Sequence, residues 1–145
     1  MGDIYHAATH LKDYLSRAGL TREWQISGNQ LDAIIFKEPM SGGGDITVTV
    51  RQSEPGASVY CFDARPDVNA GAGANYSLLR AINETNGNVR FVKFFLGKDG
   101  VVRATRRESI DEGQLGMETY RTIWTIARAT EMLYQALDGV GYPHG

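Results

Sequence analysis

The sequence predicts an α+β fold: an antiparallel sheet of about five strands with helices packed on one face, in the order α-β-β-β-α-β-β-α. Three observations predict it. Two long segments, 3–18 and 117–137, carry apolar residues at helical spacing. Between them lie short runs rich in β-branched and aromatic residues, separated by turns containing Gly and Pro. Residues 75–107 read as one unit of helix, strand, tight turn and strand, and the rest of the chain is cover or extension of it. Short turns leave room only for antiparallel pairing, and the helices then bury their apolar stripes on one face of the sheet.

In chain order, Ile4, Ala7, Ala8, Leu11, Tyr14, Leu15 and Ala18 form one helical stripe, with Asp3 at the cap or dipole position and Gly19 at the end. Trp24 and Ile26 mark a short extended piece, followed by a turn at Ser27-Gly28-Asn29. Gln30 to Lys37 is a strand centred on Ile34, Ile35 and Phe36. Pro39 stops it, and residues 41–44 form a flexible Gly-rich loop. Ile46, Val48 and Val50 alternate with Thr47, Thr49 and Arg51, the period of a half-buried strand. Glu54-Pro55-Gly56 turns the chain into a strand from Ala57 to Asp63, carrying Val59, Tyr60 and Phe62.

Residues 64–74 are a loop of small residues with Pro66, Gly71 and Gly73. Asn75 caps a helix bearing Tyr76, Leu78, Leu79 and Ile82, and Asn86-Gly87 closes it through a left-handed glycine. Asn88 to Leu96 is a strand, Lys98-Asp99-Gly100 a hairpin turn, and Val101 to Arg107 its partner strand. Ser109 to Gly116 connects to the last helix, whose dipole Asp111 and Glu112 complement. That helix runs from about Met117 to Leu137. Its polar stripe is Glu118, Arg121, Thr122, Thr125, Arg128, Glu131 and Gln135; Tyr120, Ile123, Trp124, Ala127, Leu133, Tyr134 and Leu137 form a wide apolar face. Gly139 and Gly141 end it, and 138–145 reads as a mobile tail.

At 145 residues the chain fits one domain, 1–145, and its 42% apolar and 22% charged content is ordinary globular usage. A net charge of −2 argues against a dedicated nucleic-acid binder, although a basic face can survive inside a neutral total. The single cysteine, Cys61, forms no internal disulfide. With no secretory signal and no membrane-length apolar run in view, the expectation is a cytoplasmic protein without a membrane partner.

The element order, with Asn83–Asn86 leading into Val89-Arg90-Phe91-Val92-Lys93-Phe94, then Lys98-Asp99-Gly100-Val101-Val102 and a terminal amphipathic helix, resembles the YbjN family of bacterial sensory-transduction regulators. The layout is also similar to that of the type III secretion chaperones. The resemblance spans roughly residues 3 to 138. It implies a small dimerising protein that holds another protein or regulates through contacts, with no catalytic residues to carry over.

The chemistry-bearing residues are weighed beside that resemblance. His6 and His10, four apart with Asp3 and Asp13 on the same stripe, have metal-ligand spacing, but polar residues normally occupy that solvent face. Gly71-Ala72-Gly73 lacks the pattern of a phosphate loop. Phe91-Val92-Lys93-Phe94 matches only the tail of the RNA-recognition signature. Arg90, Lys93, Arg103, Arg106 and Arg107 make the hairpin 90–107 a candidate basic surface for a small ligand or single-stranded nucleic acid. Cys61 reads as a buried strand thiol, and no residues stand out as a catalytic, metal or cofactor set. Trp24, Tyr120, Trp124 and Tyr134 are the candidate protein interface, since aromatics left outside a core mark binding surfaces. The expected function is a non-enzymatic, homodimeric protein-binding domain that buries a partner's apolar segment. The alternatives are a sensor using the basic hairpin and, last, an enzyme built around His6, His10 or Cys61.

Overall fold

Strands whose side chains alternate between apolar and polar can serve two environments at once, and the sheet is built on that alternation. The computed structural model describes residues 24–27, 33–42, 44–53, 58–72 and 75–145. Its strands are β1 (Trp24–Ser27), β2 (Ala33–Pro39), β3 (Asp45–Gln52), β4 (Val59–Arg65), β5 (Lys93–Leu96) and β6 (Val102–Ser109). They form one antiparallel sheet in the order β1-β2-β3-β4-β6-β5. The helices are α1 (Tyr76–Asn88) and α2 (Leu115–Gly139), the latter entered through a 3-10 turn at Glu112–Gln114. The predicted helix 3–18, with Asp3, His6, His10 and Asp13, lies outside the described residues, as does the turn at 54–57.

Phe36, Ile46, Val48, Val50, Tyr60, Phe62, Ala64, Phe94, Val102 and Ala104 are all buried on the face that receives the helices. Leu78, Ala81 and Ile82 of α1 and Ile123, Ile126, Leu133 and Leu137 of α2 complete one core. The other face carries Lys37, Thr47, Thr49, Arg51, Asp63, Arg65, Thr105 and Arg107, and no described helix covers it. The α+β class, the antiparallel sheet and the one-sided helices agree with the sequence expectation.

Several boundaries differ, each for a physical reason. Among the described residues the sheet has six strands rather than about five, because the extended piece at Trp24 pairs with β2, Trp24 opposite Phe36. β2 continues to Pro39, past Phe36 where the described pairing with β1 ends, so Pro39 stands at an edge, where a missing N–H is tolerated. The loop expected to be flexible is a hairpin connection: Met40 N–H donates to Gly44 C=O at 3.0 Å, and Gly44 has a φ of +76°. It is tied to α2, since Ser41 N–H donates to the Glu131 carboxylate and Arg128 donates to Pro39 C=O at 3.3 Å.

Asn75 does stand at the start of α1, but its side chain accepts Gly71 N–H at 2.8 Å instead of capping the helix. Gly87 does not take a left-handed turn. α1 runs on to Asn88 and leaves directly into extended Val89. The helix end is held another way: the Lys93 ammonium donates to Asn86 C=O at 2.8 Å and Val89 C=O at 3.1 Å. β5 is therefore short, beginning at Lys93, while buried Val89 and Val92 fill the path from helix to sheet. The Asn86 amide pairs with both backbone groups of Phe94, accepting its N–H at 2.8 Å and donating to its C=O at 2.9 Å. One side chain thus blocks the outer edge of β5 where another strand would add.

The segment read as a mobile tail has defined contacts. Tyr142 N–H donates to Leu137 C=O and Gly141 N–H to Asp138 C=O, with Gly141 at φ +70°, so α2 ends in a Schellman motif. Beyond it, Tyr142 Oη donates to Asn69 C=O at 2.6 Å and Gly145 N–H to Asp67 C=O at 3.0 Å. Loop 66–70 in turn stitches to the hairpin tip through Ala70 N–H to Gly100 C=O at 2.7 Å, over a fully buried Val68.

Candidate functional site

Helix α2 turns about 100° per residue, so its environment can be read off its numbering. Leu115, Thr119, Thr122, Ile126, Ala129, Thr130, Leu133 and Leu137 face inward and are buried. Thr122 was assigned to the polar stripe. It is buried because its hydroxyl donates to Glu108 on β6. Thr130 is accommodated by donating its hydroxyl back to Ile126 C=O at 2.9 Å.

Large apolar residues remain on the outer arc. Trp124 is 45% exposed and Met132, eight residues on and roughly 80° around the helix, is 41% exposed. Arg128 lies between them with its guanidinium 5.2 Å from the Trp124 ring centre. Tyr76 and Leu79 of α1 and Phe95 of β5 are exposed as well. Of the expected interface residues whose side chains are described, Trp124 is the one that stands out into solvent. Tyr120 is half-buried against the core. Trp24 lies on edge strand β1. Met132 was missed, although its position on the same arc as Trp124 and Arg128 is readable in the numbering.

Tyr134 is also half-buried and serves a different structure. Its hydroxyl accepts Asp67 N–H at 3.1 Å, and its ring stacks on His144 at 4.2 Å. Burial, with the charge of Asp67 adding to it, holds the phenol above its ordinary value of 10, against the opposing pull of the Asp67 N–H bond. His144 Nε2 lies 2.8 Å from Asp138 Oδ1. Tyr134, Asp138 and His144 line a cleft of about 350 Å³ together with Met40, Ser41, Gly42 and Glu131. Its carboxylates are already engaged, Glu131 by Arg128 and Asp138 by His144. Among the described residues no group of three or more His, Cys, Asp or Glu is placed to hold a metal.

The basic hairpin does not form one patch. Arg106 points to the helix side, where it donates to Phe91 C=O at 3.0 Å and Glu108 at 3.2 Å and lies 4.2 Å over the Phe91 ring. Lys93 is turned to the end of α1. Arg103 makes a fork with Asp99, at 2.9 and 2.7 Å. Of these five, Arg90 and Arg107 are exposed with neither an ion pair nor a side-chain hydrogen bond to another described residue. Strand alternation accounts for this dispersal, since neighbours in sequence go to opposite faces. Cys61 is half-buried on the face away from the helices, opposite Arg51 and Arg107 in the register.

The Arg103 fork, helped by Val101 N–H, lowers the Asp99 pKa from 3.8 to about 2. The folded value is depressed, so the pair's contribution is complete above 3.8 and is lost as pH falls toward about 2. A carbon-detected NMR titration should find that midpoint, and Arg103→Ala should raise it toward 3.8, short of it because the Val101 N–H bond remains. An unmoved midpoint in the variant would contradict the assignment.

Among solved structures, the chain is similar to "Crystal structure of YbjN, a putative transcription regulator from E. coli", at 15% identity over 85% of this chain and 87% of that one, with a TM-score of 0.51. It is also similar to "Structure of the HopA1-SchA Chaperone-Effector Complex", at 12% identity over 94% and 93% of the two chains, with a TM-score of 0.46. At such identities the first likeness is one of fold. Among curated proteins none matches. No helix among the described residues is long and apolar enough to cross a membrane. The family model described as "Putative bacterial sensory transduction regulator" matches residues 8–139, and by that match the chain belongs to the YbjN family.

Proposed function

We propose that this YbjN-family chain is a non-enzymatic regulatory domain that binds another protein, works as a homodimer in the cytoplasm, and buries an apolar segment of its partner. The observation that carries this reading is the pair Trp124 and Met132, large apolar side chains kept in solvent on the outer arc of α2. Water contact of that area is unfavourable by about 25 cal/mol per Å², and a partner segment laid along the helix removes it. The arc, rather than strand addition at β5, is the docking mode we favour, because Asn86 occupies that edge.

The non-enzymatic part is supported by how the reactive groups are used. His144 is held between Asp138 and Tyr134 on the helix side, while Cys61 sits on the opposite face of the sheet. The dimer part is tested by light scattering on the purified chain. The mass of two chains is expected across micromolar concentrations, and a strict monomer would contradict it.

A further inference from the structure

The face of the sheet away from the helices carries an excess of cations. Register places Lys37 opposite Thr47 and Thr47 opposite Arg65. Continued one step beyond Ala64↔Ala104, it sets Arg65 opposite Arg103, which faces exposed Phe95. A second row runs Arg51, Cys61, Arg107. Against these cations stand Asp63, 3.6 Å from Arg51, Asp99, taken by Arg103, and Asp45, exposed at the start of β3 opposite Pro39. Lys37, Arg65 and Arg107 remain without an ion pair among the described residues, in a chain whose total is −2.

Like charges set side by side across strands cost stability, and an anion lying over them removes the cost. Four of the five cations are Arg, whose planar fork suits carboxylate and phosphate. Three unpaired cations set against one unpaired Asp45 match about two anionic groups, far short of the run of phosphate contacts a nucleic-acid binder makes. Phe95 is one exposed aromatic where single-stranded bases need a row of stacking platforms. We propose that this face docks an extended acidic segment of a partner polypeptide. This rests on the protein-binding reading and adds a second contact, chemically distinct from the apolar arc of α2.

The test is fluorescence anisotropy with three labelled probes: a twelve-residue peptide of alternating Glu and Ser, a Lys-Ser peptide of the same length, and a twelve-nucleotide oligo-dT. The wild-type chain should bind the Glu-Ser peptide alone, with affinity falling as salt rises. R65E/R107E should lose about tenfold or more. Lys37→Glu, a single change that leaves both arginines in place, should weaken binding as well, and off-face Arg121→Glu should not. No binding, undiminished binding by R65E/R107E, or tighter binding of oligo-dT would overturn the proposal. W124A/M132A should leave peptide affinity unchanged, so a failed apolar arc and a failed basic face are told apart. Loss of peptide binding in that variant would place the peptide on α2 and overturn the proposal too.

Discussion

Phe62→Ala should destabilise the protein by about 3–5 kcal/mol, the range for removing a buried aromatic from a core. Phe62 is fully buried on β4, a strand paired on both sides, opposite Val50 on β3 and Arg106 on β6. The neighbours are held by two ladders, so the cavity cannot close by moving the backbone. Chemical denaturation followed by circular dichroism measures the loss as a lower midpoint at unchanged slope. Thr49→Ala on the other face of the adjacent strand serves as the comparison and should cost well under about 1 kcal/mol. A loss below about 1 kcal/mol for Phe62→Ala would mean that β4 is not central.

The second large effect is expected at Glu108. Its carboxylate joins three elements: it accepts from Arg106 at 3.2 Å, from buried Thr122 on α2, and through Arg106 it fixes Phe91. Glu108→Ala leaves a half-buried guanidinium without its carboxylate and a buried hydroxyl without its acceptor. Each such loss costs about 1–3 kcal/mol, so a total of about 2–6 kcal/mol is expected. Glu108→Gln keeps one acceptor oxygen and should cost less than Glu108→Ala. Equal losses in the two variants would show that the side chain acts by packing alone.

How far the sequence carried the fold is clearest at particular residues. Alternation at Ile46, Val48 and Val50 gave β3 and its buried face without help, since period two is a local signal. The long helix was legible for the same reason, to within two residues at each end. What failed was chemistry decided by distant partners. Thr122 looked solvent-facing because its acceptor, Glu108, comes from another strand. Gly87 looked like a helix stop, but a lysine six residues later satisfies the helix end instead. Asn75 looked like a cap and is engaged by Gly71.

The same distinction governs the site. Trp124 was named from its type and spacing, and the structure leaves it 45% exposed. Tyr134 was grouped with it, yet the sequence could not reveal that Asp67 and His144 would enclose it. The basic hairpin was a grouping by sequence proximity, and strand alternation divides such groups between faces. The cations that do share a face, Lys37, Arg65 and Arg107, come from three strands far apart in the chain. Only the register brings them together.

Affinity capture from native lysate, with the wild-type chain and W124A/M132A run in parallel, bears most directly on the proposed role. Matched circular dichroism spectra and melting temperatures would certify that both baits are folded. The account predicts a polypeptide retained by the wild-type chain through washing at high salt and absent from the double variant. Retention of the same polypeptide by both baits, or by neither, would contradict the claim that the outer arc of α2 is a docking surface.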